Sequence, residues 1–516
     1  MIPKVPGMFP ALALIVILFI AGAGCTNASD EEVAGSGLPA TTMADDLFAQ
    51  AEMVMADSSY RTAASYYEEA YQLYTESDDV AGALLARNGM FRATRATIEY
   101  PLNRTAAEVE MQEKIPLLTE ANMTAWLDER AQTIVSDGET LYFENVAQDY
   151  LYAHVDDLRP MADTMIDFGY VSRYAIPEKA SAAGDESVLP YVNPVRYTGT
   201  EALVLPEDVL PATGMLSIWY PLPLETESQR DVVVTNLSHE EYIVTGPVTE
   251  GQIAYVYYEV PADAIDGDLI ITADIAFTSY EQHFVVDPAR VKAYDTMDPE
   301  YIRYTSSGRN IEVTDESRAL AVAIVGNEMN PYLQAQVIYH YIIDTYPYSY
   351  APHVSIDTIE PKVAESYYML ATGHGDCGTQ SQFFAALCRS LGIPARATGG
   401  YQMLVTGHPG PHFWAEYYIE GYGWIPCDPA VAESADWVDV PEEDRDAFKT
   451  YYANNLDPTR LVIQKDVDAP MNPTIPEGAV VFRLVRQQPA IVWDEAAVDL
   501  DMLSGFHFTV SLEGEE

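Results

Sequence analysis

The chain has 516 residues, 79 acidic against 27 basic, for a formal net charge of −52 at pH 7. So few cations exclude nucleic-acid binding through a basic face, and acid spread along the whole length predicts a solvated, self-repelling surface. The length predicts several domains.

The opening segment, MIPKVPGMFPALALIVILFIAGAGC, holds one lysine and an apolar run from Ala11 to Ala21. That run is short for a membrane span and reads as the apolar part of a signal peptide. It ends at AGAGC, which resembles a lipobox with Cys25 at the lipid-bearing position; Gly22 stands where such motifs usually carry Leu or Val. The expectation is a signal peptide over 1–24, lipid on Cys25 and a polar, flexible tether over 25–41. Ordinary cleavage with an unmodified Cys25, or an uncleaved anchor, is the alternative. Lipid on Cys25 predicts a cell-surface protein held at the outer face of the cytoplasmic membrane. Sequons at Asn27, Asn103, Asn122 and Asn236 would be usable there.

Residues 42–175 read as a helical domain. In SSYRTAASYYEEAYQLY, Ala63, Tyr67, Ala70 and Tyr74 recur at helical spacing. The piece resembles part of a tetratricopeptide repeat, and a plain helical bundle explains it equally well. The block from Met123 through the Asp-Asp-Leu at 156–158 is also read as helix. Pro160, Pro177 and Pro190 are candidate breaks, and the small polar run SAAGDES at 181–187 marks the boundary. From 190 to 312 the pattern becomes MLSIWYPLP, DVVVTNL, IAYVYYEV and LIITADIAFTSYEQHFVV. Alternation and β-branched residues predict a β-sandwich-like domain.

Within 315–440 lies GHGDCGTQSQFFAALCRSLGIPARATGGY, followed by PGPHFWAEYYIEGYGWIPCDPA. Phe383, Phe384, Leu387 and Leu391 predict a helix that starts near Cys377 and ends at Gly392 and Pro394. In its first turn, unsatisfied N–H groups and the helix dipole favour a thiolate at Cys377 and can hold a substrate oxyanion. HFWAEYYI, EGYG and WIPCDPA predict a hairpin turning near Glu420 and Gly421. Antiparallel pairing then brings His412 within about one position of Asp428, close enough for the carboxylate to orient the imidazole.

G-D-C-G at 375–378, L-G-I-P-A-R at 391–396, H-F-W-A-E at 412–416 and G-W-x-P-x-D-P at 423–429 resemble the core of the transglutaminase-like superfamily, a branch of the papain-type cysteine-enzyme fold. The resemblance spans roughly residues 320–440. It implies Cys377 as nucleophile, His412 as general base and acid, and Asp428 as the orienting acid. The family often places an oxyanion-stabilising Trp or Gln upstream of the cysteine. YIIDTYPYSY has neither, which leaves Tyr348 as candidate. The implied activity is acyl transfer from an amide through a thioester, as a protease, deamidase or transglutaminase, with protein or peptide substrates at the cell envelope. Some animal relatives need calcium. The chain has no EF-hand loop, and neither cofactor nor metal site is expected.

Taken together these segments predict a multidomain α+β protein: a helical domain, a β-sandwich-like domain, a papain-type α+β core and a β-rich extension over 441–516. The extension holds AVVFRLV, AIVWD and FHFTVSL, with PEEDRDAF as a solvated helix or linker. Two rival readings share these residues. His374, Cys377, His408 and His412 give H-x2-C and H-x3-H, a spacing similar to zinc ligation. A non-catalytic, surface-anchored binding or scaffold protein could also carry the same fold. Cys388 and Cys427 either pair in an oxidising exterior or remain buried thiols.

Overall fold

The computed structural model describes residues 40–155, 157–158, 190–356, 363–404, 408–438, 441–476, 487–494 and 507–515. The signal run, Cys25, most of the tether, the breaks at Pro160 and Pro177, the 181–187 boundary and the strand expected at 479–485 lie outside the described residues.

The N-terminal part is helical: Ala40–Ala56, Tyr60–Glu76, Val80–Ile98, Arg104–Lys114, Glu120–Glu129 and Val146–Ala153. Ala63, Tyr67, Ala70 and Tyr74 are all buried, as their spacing requires. Two glycines of the next helix seat the tyrosine rings. A Cβ on Gly89 would stand 2.4 Å from Tyr67 and one on Gly82 the same distance from Tyr74, so only hydrogen permits this approach. The block read as continuous helix from Met123 is interrupted. Strand β1 (Thr133–Ser136) and strand β2 (Glu139–Tyr142) form a hairpin between two helices. Asp137 and Gly138 both take positive φ, 50° and 80°. This Asp-Gly turn bends two short strands back on each other and outweighs helical periodicity.

The remaining strands are β3 (Tyr191–Leu205), β4 (Met215–Pro221), β5 (Gln229–Thr235), β6 (Ile243–Val248), β7 (Tyr255–Pro261), β8 (Leu269–His283), β9 (Ala395–Gln402), β10 (Gly410–Ile419), β11 (Gly423–Cys427), β12 (Asn455–Leu456), β13 (Arg460–Gln464), β14 (Ala490–Trp493) and β15 (His507–Glu515). One sheet runs β12, β8, β3, β15, with β5 also paired to β8; a second runs β14, β4, β7, β6. Leu203, Ile271 and Phe277 of the first and Ile218, Val256 and Tyr258 of the second belong to one buried cluster. A third sheet, β11, β10, β9, β13, lies in the core segment.

The described part of the segment 441–516 pairs its strands with the preceding sheets. It begins with the helix Glu442–Tyr451. Then β12 joins β8, β13 joins β9, β14 joins β4 and β15 joins β3. The strands returning at the end of the chain occupy edges that would otherwise expose unpaired N–H and C=O groups.

The core segment stacks Asp315–Val325, Pro331–Thr345, Glu365–Thr372 and Cys377–Ser390 beside its sheet. Phe383, Phe384 and Leu387 are fully buried. Burying three such side chains contributes on the order of 5–9 kcal/mol before entropy is counted. The helical part is pinned to this core by hydrogen bonds. Glu99 accepts from the N–H groups of Val354 (3.0 Å) and Ser355 (2.8 Å), and Asp149 accepts from Tyr350 N–H at 3.0 Å.

Candidate active site

Cys377 is the first residue of its helix, as the sequence predicts. Asp376 caps that helix: its carboxylate accepts from Thr379 N–H at 3.0 Å while the Thr379 hydroxyl accepts from Asp376 N–H. Cys377 is partly exposed, and the backbone N–H groups of Phe413 and Gly378 point at its sulfur. The thiol therefore faces β10 one residue beyond His412.

β9 sits between β10 and β13, with Gly400 opposite His412 on one side and Val462 on the other. A Cβ on Gly400 would lie 1.9 Å from the Leu461 carbonyl oxygen, so this strand can pass so closely only as glycine. The hairpin ladder pairs Ala415 with Cys427 and Ile419 with Gly423. That register, continued, sets residue 430 opposite His412, one position beyond the expected range. Asp428 still reaches the imidazole because it leaves the ladder to cap the Pro429–Glu433 helix.

His412 Nε2 donates to Asp428 Oδ2 at 2.8 Å, and its ring stacks on Trp414 with centroids 6.2 Å apart. Asp428 is fully buried and its acceptors are divided. Oδ1 takes Val431 N–H at 3.0 Å; Oδ2 takes His412 and, at 2.7 Å, Arg460 Nη1. Burial alone would raise this carboxyl, but the charges of His412 and Arg460 prevail and hold it down to about 2.

The fate of Cys377 differs from the helix-start expectation. Burial and the adjacent Asp376 carboxylate push the thiol up, with Asp428 adding to the push. The N–H groups of Phe413 and Gly378 pull the other way without prevailing. The dipole argument weighs only the helix; the site also contains two carboxylates.

Tyr348 lies in the same neighbourhood. Burial raises its phenol, and the charges at Cys377 and Asp376 add to this. Its ring packs against Trp437 at 5.4 Å and against Tyr152, from the helical part, at 5.1 Å. Tyr152 also meets Trp437 at 4.5 Å, so Tyr348 belongs to an aromatic cluster drawn from two parts of the chain.

His374, by contrast, turns elsewhere. Its Nδ1 shares a 2.6 Å hydrogen bond with Ser349 Oγ, and burial, with Arg130, lowers it to about 4. His408 lies in an exposed loop. Among the described residues, no group of three or more His, Cys, Asp or Glu side chains is placed to hold a metal. The zinc arrangement therefore does not form there. Cys388 and Cys427 are both unpaired, buried thiols.

Several site residues carry no local sequence signal. Arg460 joins Asp428 to Asp457, which it meets through Nη2 at 2.9 Å, and lies 5.0 Å over the Trp414 ring. Gln487 Nε2 donates to the carbonyls of His412 (2.7 Å) and Gly400 (3.1 Å). Glu433 accepts from Gln380 Nε2 at 2.8 Å, which ties the Cys377 helix to the helix capped by Asp428. Apart from Arg460–Asp457, each pairing spans tens of residues, beyond the reach of periodicity or turn chemistry. The Arg460–Asp457 spacing alone reads as an ordinary surface ion pair.

Residues 318–429 match the profile of the transglutaminase-like superfamily. The chain carries a transglutaminase-like core, set in a mixed α+β protein whose N-terminal part is helical. An uncharacterized protein from Haemophilus influenzae is 25% identical over 293 residues, covering 50% of this chain and 75% of that protein. A candidate cysteine protease from Cytophaga hutchinsonii is similar in structure, with 15% identity and a TM-score of 0.40, over 63% of this chain and 92% of its own. The periplasmic domain of TgpA from Pseudomonas aeruginosa, bound to ethylmercury, shares 16% identity with a TM-score of 0.23, over 53% and 97% of the two chains. No helix among the described residues is long and apolar enough to cross a membrane.

Proposed function

We propose that the protein is a cysteine acyl-transfer enzyme acting on amide bonds, with Cys377, His412 and Asp428 as its triad. The observation that carries this reading is the 2.8 Å contact of His412 Nε2 with Asp428. It leaves Nδ1 to exchange a proton with a thiol that faces the neighbouring residue. Because burial and Asp376 favour the protonated thiol, His412 takes the proton as the sulfur attacks. The Sγ–C bond forms at the substrate carbonyl, the C–N bond breaks, and His412 returns its proton to the leaving amine. Water or a second amine then attacks the thioester and gives a proton to His412, the Sγ–C bond breaks, and His412 returns that proton to the Cys377 sulfur. Water as acceptor makes a protease or deamidase; an amine makes a cross-linker. Backbone N–H groups at the start of the Cys377 helix, with Tyr348 beside them, are positioned for the oxyanion role.

The same proposal places the enzyme at the cell surface, anchored through a lipid on Cys25, with envelope proteins or peptides as substrates. The paired sheets are a β-sandwich-like domain, and the N-terminal helical domain is tetratricopeptide-like or a bundle. The aromatic cluster of Tyr152, Tyr348 and Trp437 supports apolar contact with a substrate side chain.

An activated ester such as a nitrophenyl acetate tests the chemistry without a known substrate. Wild type should give a burst and a mass increase on the Cys377 peptide, absent in Cys377→Ala and slowed strongly in His412→Ala. Equal acylation of wild type and His412→Ala would instead favour a scaffold protein with an incidental thiol.

A further inference from the structure

A second imidazole lies against Asp376, the residue before the proposed nucleophile. His353 Nε2 lies 2.6 Å from Asp376 Oδ2, and its Nδ1 lies 3.2 Å from Glu365 Oε2. Asp376 is 7% exposed and Glu365 is fully buried. A neutral imidazole has one N–H and would turn its lone pair on one of these carboxylates, whereas an imidazolium donates to both. With both carboxyls ionised, the arrangement favours the charged form. Burial opposes it, and the Asp376 and Glu365 charges overcome that opposition and raise His353 well above the ordinary histidine range.

Asp376 is the residue that matters for the thiol. Its Oδ1 is used by Thr379 N–H, which fixes the helix start, and its Oδ2 is used by His353. Its charge adjoins Cys377 and disfavours a thiolate. We propose that His353 is a positioning residue that acts through Asp376 on Cys377: it holds the capping carboxylate in place and offsets its charge, so the thiolate forms against less repulsion. The inference rests on Cys377 being the nucleophile and adds a residue to that reading.

Other charged groups face this cluster and enter its pH behaviour. Glu365 comes from the preceding helix. Glu99 comes from the helical part, where it grips the two N–H groups after His353. Asp149 lies near Asp376; burial raises it to about 7, against the hydrogen bonds from Gln132 and Tyr350 N–H. The helical part thus clamps the turn that presents His353 to the nucleophile's cap.

The test is the pH profile of iodoacetamide alkylation at Cys377 in the full chain, read by peptide mass spectrometry. His353→Gln should move the midpoint up by about one pH unit, with the high-pH plateau rate kept. Asp376→Asn keeps a capping oxygen but removes the charge, and should move the midpoint down. The double variant should match Asp376→Asn, because His353 acts only through that charge. An unchanged midpoint in His353→Gln, or a shift that persists undiminished in the Asp376→Asn background, overturns the inference. A role confined to stability would lower melting without moving the midpoint. Should His353→Gln fail to fold, Asp376→Asn decides alone, and an unmoved midpoint there overturns the proposal. Absence of Cys377 alkylation in folded wild type at every pH would overturn the nucleophile reading itself, an outcome distinct from unshifted midpoints.

Discussion

His412 and His353 each lie against a buried carboxylate, but the carboxylates are balanced differently. Asp428 shares its negative charge between His412 and the Arg460 guanidinium. His353 faces Asp376 on one ring nitrogen and Glu365 on the other. An imidazole with one ring nitrogen left to the thiol can exchange a proton. One with both nitrogens held by carboxylates is a fixed cation. Neighbours, and not residue type, separate the two histidines, with proton transfer the role proposed for one and support the role proposed for the other.

That comparison breaks most sharply at the chemical step. His412→Ala should slow acylation of Cys377 by an activated ester about a thousandfold. His353→Gln should leave that rate nearly intact at a pH above its shifted midpoint. Equal losses in stopped-flow burst rates would dissolve the distinction between base and support.

Next in size is the guanidinium. Arg460→Met leaves Asp428 and Asp457 buried with a cation removed from both, at a cost of about 3–5 kcal/mol in urea unfolding. A loss below about 1 kcal/mol would mean that Asp428 does not depend on Arg460.

The pH dependence of stability should separate the two clusters by sign. Asp428 is held down to about 2, below the unfolded carboxyl near 3.9, so its contribution is present above pH 4 and lost as pH falls towards 2. The contribution is about 2–3 kcal/mol. Asp428→Asn should flatten that acid limb in denaturant titrations. His353 is raised, so its contribution is full below the unfolded value near 6.5 and lost as pH rises through the folded value. His353→Gln should flatten the alkaline side instead. Acid-side flattening in both variants would show that the imidazoles respond to one shared charge.

The smallest effect belongs to Gln487. Gln487→Ala strands the His412 and Gly400 carbonyls and should cost about 1–2 kcal/mol in the same unfolding measurement. A loss of acylation as large as that of His412→Ala would promote Gln487 from backbone support to a direct role.

Much of the site was legible in the chain because its signals are local. Apolar residues at helical spacing, with Gly392 and Pro394 at the end, define a helix that starts near Cys377. His412 and Asp428 fall near each other because a short turn joins two strands. The hairpin at 133–142 was equally local, and its Asp-Gly turn was the clue that the helical reading passed over. Arg460, Gln487, His353 and Tyr152 could not be placed this way. Arg460 arrives on β13, which joins the third sheet only after the chain has crossed the Glu442–Tyr451 helix and paired β12 with β8.

By itself, then, the sequence determined where the Cys377 helix begins and that a hairpin brings His412 and Asp428 into one neighbourhood. Helix caps, turns and periodicities act over a few residues, and their energetics can be read in place. The tertiary structure decided the charge balance: that Asp428 is shared with Arg460, that two carboxylates raise His353 and that burial and Asp376 push Cys377 towards the thiol. Those outcomes depend on desolvation and on charges brought together from distant parts of the chain, and neither exists until the chain has folded.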